Sequence, residues 1–129
     1  MNKHYEVVCA VIIKDDKILC CKRDGNGECA YKYEFPGGKI EPGETKEIAL
    51  VREIKEELSC DIKIEKYLTT VEHVYNTFSV TLHVYICSLA SGIPVFNVHI
   101  DYVWCERNKL KNLDFAEADY KFLDMLINK

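Results

Sequence analysis

The sequence predicts an α+β fold, an α-β-α sandwich in which helices cover a mixed central sheet. A nearly continuous β-branched run at residues 5–13 (YEVVCAVII) reads as a central strand buried on both faces. A second strong strand signal lies at 78–89 (FSVTLHVYICSL), and two well-separated helical patterns end near Leu58 and Ile127.

The remaining elements follow in order. Lys14 to Lys17 is a turn, and residues 18–23 (ILCCKR) return as a second strand. Residues 24–31 (DGNGECAY) have loop composition, and a short extended piece at 32–35 leads into a Gly37-Gly38 turn. Pro42-Gly43 makes a further turn before a helix capped by Thr45 and running to about Leu58. Residues 61–74 alternate as a strand, 75–77 connect, 90–94 turn, and 102–105 form a short last strand. A polar stretch at 106–112 precedes one terminal helix, from about 116 to 127, with Phe122, Leu123, Leu126 and Ile127 at helical spacing. A chain of 129 residues with no repeat or linker is expected to be one domain, 1–129.

A formal charge of −4 argues against a surface built to bind nucleic acid, while leaving room for a nucleotide whose charge a cation offsets. No apolar run suits a membrane span and no basic segment precedes an apolar one, so a cytoplasmic protein, monomer or homodimer, is expected. Seven cysteines without a CxxC pair fit neither a disulfide framework nor a zinc ribbon. Cys9, Cys20 and Cys87 read as small core residues, and Cys29, in a polar loop, has no evident histidine partner.

The chemistry is concentrated in residues 38–60, GKIEPGETKEIALVREIKEELSC. With about 100° per residue and Glu53 at zero, Glu56 falls near −60° and Glu57 near +40°. Three carboxylates therefore share one helix face, and Ile48, Val51, Ile54 and Leu58 are expected to form an anchoring stripe opposite. Like charges so close are costly without a cation, and oxygen ligands suit Mg²⁺ or Mn²⁺. The competing reading is a solvated acidic face. Gly37-Gly38, which lets backbone approach a ligand closely, argues for the cation.

Gly38, Glu44, Arg52, Glu53, Ile54, Glu56 and Glu57 match the pattern G-x5-E-x7-R-E-U-x-E-E-x-G-U, with U aliphatic. This resembles the Nudix box of the Nudix hydrolases. Ser59 stands where the family has glycine, and Cys60 replaces the last aliphatic residue. The resemblance implies hydrolysis of nucleoside diphosphate derivatives with Mg²⁺ or Mn²⁺. Glu56 and Glu57 are the first choices as metal ligands, with Glu53 a further ligand or the base, and the carbonyl of Gly37 or Gly38 an added contact. Arg52 either contacts phosphate or, as favoured here, orients Glu44 or Glu53. Glu44, at the helix entrance, is also placed by the helix dipole.

Residues 34–41 (EFPGGKIE) resemble the MutT-like branch, which includes 8-oxo-dGTP and CTP pyrophosphohydrolases. That resemblance implies a phosphate contact from Arg23 and a base-reading role for Asp119, whose rival reading is a helix N-cap. Lys39 is a candidate phosphate neighbour, and Phe35 and Phe78 are candidate stacking rings or core. The branch also carries a loop carboxylate about six residues before the last strand's tryptophan, where this chain has Val98. His99 and Asp101 are the nearby substitutes, against a plain reading of His99 as an exposed loop residue. The expected reaction converts a nucleoside triphosphate, canonical or modified, to monophosphate and pyrophosphate. Sugar nucleotides, dinucleotide polyphosphates, capped RNA or binding without hydrolysis are the alternatives.

Overall fold

The computed structural model describes residues 3–128. Its strands are β1 (Lys3–Lys14), β2 (Lys17–Lys22), β3 (Tyr33–Glu34), β4 (Gly37–Lys39), β5 (Asp61–Val74), β6 (Phe78–Ser91) and β7 (Asp101–Glu106). The helices are α1 (Lys46–Leu58), α2 (Glu117–Tyr120) and α3 (Leu123–Ile127), with a 3-10 turn at Arg107–Asn112.

β1 organises the sheet. It pairs in parallel with β6 along residues 3–12, and β6 pairs antiparallel with the edge strand β5. On its other side β1 meets β4 (Cys9↔Gly37) and then β2 (Ile13↔Ile18), both antiparallel. β2 turns away to pair with β3 and β7. Val8 to Ile12 are all buried, as a strand covered on both faces requires. Their side chains alternate between two clusters. Val8, Ala10 and Ile12 pack with Ala49, Leu50, Ile54 and Leu58 of α1, against which Trp104 of β7 also rests. Cys9 and Val11 face Leu110, Phe115, Phe122 and Leu126 from the C-terminal segment. Helices thus lie on both faces of a mixed sheet, the sandwich expected.

Several expectations need correction. Ile48 and Val51 do not anchor α1; they are 59 % and 41 % exposed. The buried arc runs from Ala49 through Leu50 and Ile54 to Leu58, from about −40° to about +140° on the same wheel. Glu53 and Glu57 fall inside that arc. The acid face therefore turns toward the sheet, and only its edge, Glu56, is left in water. Gly37-Gly38 is a short strand rather than a turn. The terminal helix is two pieces, because Phe122 leaves helical backbone at φ −124°, ψ 6°. The polar stretch after β7 winds into the 3-10 turn, which its composition did not indicate. Thr45 does cap α1, accepting from the Ile48 N–H at 3.2 Å. Ser59 takes the left-handed conformation (φ 53°) that favours glycine, and Asn97 Nδ2 donates to its hydroxyl at 2.9 Å.

Candidate active site

Two glycines let the acidic helix and the sheet meet. A Cβ on Gly37 would lie 2.0 Å from the Val8 carbonyl oxygen, and one on Gly38 would lie 2.3 Å from Glu53 Cδ. Only glycine admits Glu53 this close to β4. The Gly37 N–H in turn donates to Glu57 Oε1 at 3.3 Å.

Arg52 gathers the remaining carboxylates of the motif. Its Nε and one terminal nitrogen reach the two oxygens of Glu44 at 2.6 and 2.9 Å. Its other terminal nitrogen donates to Glu53 Oε2 at 3.0 Å and Glu56 Oε1 at 3.3 Å. A further bond to the Lys39 carbonyl (3.1 Å) ties the guanidinium to β4. This two-pronged grip on Glu44 holds that carboxylate in one orientation. The bond from Arg52, backed by the Glu41 N–H, holds the Glu44 carboxyl below its usual range. Glu44 is thus a partner of Arg52 and does not face the cavity described below.

Burial works the other way on the inner pair. It pushes Glu57 up to about 8, with the nearby carboxylates Glu34 and Glu53 adding to the effect. Glu53 is also raised by burial, with Arg52 opposing the shift. Glu53, Glu56 and Glu57 do not converge as a finished cage, and no such cluster of metal-holding side chains occurs among the described residues. Arg52 holds the first two while Glu57 turns to the Gly37 amide. The donor set nevertheless fits a hard divalent cation: carboxylate oxygens, one of them buried and reluctant to ionise, beside a backbone strand with no Cβ in the way.

A cavity of about 490 Å³ opens beside Glu57, Gly37 and Gly38. Arg23, Phe35, Lys39, Phe78 and Asp119 all line it, so the structure brings together every substrate-side residue read from sequence. Their local roles differ from expectation in part. Phe35 is buried, stacked on Phe115 (5.2 Å) and tilted on Phe122 (5.4 Å), so its ring serves the core first. Phe78 is half-buried and stacks on Tyr75 at 4.7 Å. Lys39 Nζ lies 4.1 Å over the Tyr5 ring. Asp119 is not a helix cap: it sits within α2, 5 % exposed, accepting from the Phe35 N–H. Burial, then Glu34, pushes its carboxyl well up, and its Oδ2 has no partner among the described residues.

The loop before β7 departs most from expectation. Val98 is exposed. His99 is not a solvated loop residue; its side chain is 2 % exposed and its Nε2 lies 3.0 Å from Glu34 Oε2. Asp101 opens β7, exposed, and does not line the cavity. Tyr5, Tyr75 and Glu34 also border the cavity and received no role from sequence, and Cys29, read there only as a thiol without a histidine partner, borders it too. Glu34 alone carried a signal, as a charged residue between two aromatics in a strand pair.

The match to known proteins agrees with this geometry. Residues 7–125 fit the family model described as the NUDIX domain. The chain belongs to the Nudix hydrolase family. It is similar to the CTP pyrophosphohydrolase of Escherichia coli K12, 33 % identical over 122 residues that cover 95 % of this chain and 90 % of that one. The 8-oxo-dGTP diphosphatase of Haemophilus influenzae is 29 % identical, covering all of this chain and 96 % of its own. The solution structure of the MutT protein from methicillin-resistant Staphylococcus aureus 252 superposes with a TM-score of 0.80 at 38 % identity, covering 99 % of this chain and 98 % of its own. This Nudix chain is therefore an enzyme, a pyrophosphohydrolase acting on phosphorus-containing anhydrides, and Nudix hydrolases generally need a divalent metal. Among the described residues, no helix is long and apolar enough to cross a membrane.

Proposed function

We propose that this Nudix enzyme converts a nucleoside or deoxynucleoside triphosphate to the monophosphate and pyrophosphate. One observation carries the reading: the half-buried Glu57 carboxylate borders a cavity that a buried acid, Asp119, also lines. The first suits cation-assisted phosphoryl chemistry and the second suits recognition of a base.

Glu56, Glu57 and the carbonyl of Gly37 or Gly38 would hold Mg²⁺ or Mn²⁺, with Glu53 beside them. When bound, the metal neutralises phosphate charge and lowers the pKa of a coordinated water. Glu53 keeps Oε2 on Arg52, which leaves Oε1 to accept the water's proton. Arg52 and Glu44 set the angle of that carboxylate and stay out of contact with the substrate. Arg23 and Lys39 supply positive charge along the cavity wall for the phosphates. Phe78, stacked on Tyr75, offers an aromatic platform for the base, while Phe35 shapes the floor from the core side.

Asp119, which burial pushes toward its protonated form, in that form both donates and accepts at the base edge. Replacing it by Asn keeps both capacities and fixes which atom donates. Asp119→Asn is therefore expected to change the ranking of bases rather than abolish turnover, with shifts of about tenfold in relative kcat/KM. The test is a pyrophosphate-release screen of canonical, oxidised and methylated triphosphates with Mg²⁺ and Mn²⁺, on wild type and variant. No turnover of any triphosphate by the wild type would overturn the proposal. An unchanged ranking in the variant would remove Asp119 from base recognition.

A further inference from the structure

Both oxygens of Glu34 are occupied, one by Arg23 and the other by His99, a residue to which the catalytic reading gives no role. Oε1 accepts from the guanidinium of Arg23 at 3.0 Å, and Oε2 lies 3.0 Å from His99 Nε2. An Arg–Glu pair alone leaves the carboxylate free to swing about the side chain's single bonds. A second donor on the other oxygen removes that freedom. Because a carboxylate only accepts, His99 carries its proton on Nε2 in this contact.

The loop that delivers His99 is itself pinned at both ends. The N–H groups of Val95 and Asn97 donate to the carbonyls of Leu58 and Glu57, at 2.8 and 3.0 Å. The Ile100 N–H donates to the Lys22 carbonyl at 3.0 Å, one residue before Arg23. His99 is thus clamped between the end of the acidic helix and the end of β2. Its Nδ1 is buried with no partner among the described residues. Leaving a buried ring nitrogen unsatisfied is unfavourable, so stability alone is a poor reason for histidine here.

We propose that His99 is a positioning residue which, through Glu34, fixes the orientation in which Arg23 faces the nucleotide cavity. This rests on the proposed binding of nucleotide in that cavity. The loop that has Val98 in place of a carboxylate therefore acts on substrate binding from behind the cavity wall.

The test compares His99→Leu, which fills the space without a donor, with His99→Gln, whose amide nitrogen can replace Nε2–H. His99→Leu is expected to raise KM for the best triphosphate about tenfold with kcat within about twofold, and to weaken product monophosphate binding, measured by calorimetry without metal, to a similar degree. His99→Gln is expected to recover most of both losses. In an Arg23→Ala background His99→Leu is expected to add less than about twofold, since both changes act through one guanidinium. If Leu does not yield folded protein, His99→Met takes its place in the comparison. Unchanged KM and monophosphate affinity in the Leu variant, or full additivity with Arg23→Ala, would overturn the proposal. Absence of triphosphate turnover by the wild type would instead fall on the functional reading above.

Discussion

Glu57→Gln is expected to lower kcat by at least about 10³-fold while leaving the fold intact, because it removes the acidic-helix carboxylate that borders the cavity without changing its shape. The same substitution has a second, independent signature in stability. Glu57 ionises near its ordinary carboxylate value when unfolded and at about 8 when folded. Below the lower value both states hold the proton and the group is neutral toward folding. As pH rises through the window up to about 8, the unfolded chain releases the proton more readily, so folding loses stability, on the order of a few kcal/mol in total. Metal-free wild type should therefore show a falling unfolding midpoint from about pH 5 to pH 8 that Glu57→Gln lacks. Other groups titrate in this range, so the difference between the two proteins is the quantity to read. Added Mg²⁺ should raise the wild-type midpoint and leave the variant's nearly fixed. Equal slopes and equal Mg²⁺ responses would contradict the placement of Glu57.

Gly37→Ala should be the most destabilising small substitution in the site, by about 3 kcal/mol, or roughly 10 °C in unfolding midpoint. Its Cβ would meet the Val8 carbonyl oxygen at 2.0 Å and Cys9 Cα at 2.7 Å. Neither atom can retreat without disturbing β1, which pairs with β6 along its other side. Gly38→Ala makes an informative contrast, since the nearest atoms to its Cβ belong to the flexible Glu53 carboxylate. That variant should keep most of its stability and lose most of its turnover. Calorimetric unfolding beside a turnover assay separates the two, and equal stability losses would refute the distinction.

The parts of this molecule legible in sequence are those fixed locally. The Thr45 cap, the end of α1 at Leu58 and the β5 limits all follow from neighbouring residues. The inward turn of Glu53 and Glu57 was not legible, because a wheel of side chains tends to assign carboxylates to water. Here Ala49, Leu50, Ile54 and Leu58 win the dry side, and the two acids lie among them. Gly37-Gly38 looked like a turn because its partner, the first half of β1, lies some thirty residues earlier. The Phe122 break was hidden by helical spacing that runs straight through it. His99 was misread for a related reason: its carboxylate partner is 65 positions away. A histidine's burial depends on such a partner, and no local pattern announces it.

Trp104 is the chain's single tryptophan, and it rests against the cluster that seats α1. The molecule therefore contains its own optical gauge. A change in how the acidic helix sits on the sheet alters the indole's surroundings and so its emission, while the cavity beside Glu57, which Trp104 does not line, is left free of any label. Helix seating can thus be followed in the unmodified protein, on the time scale of mixing.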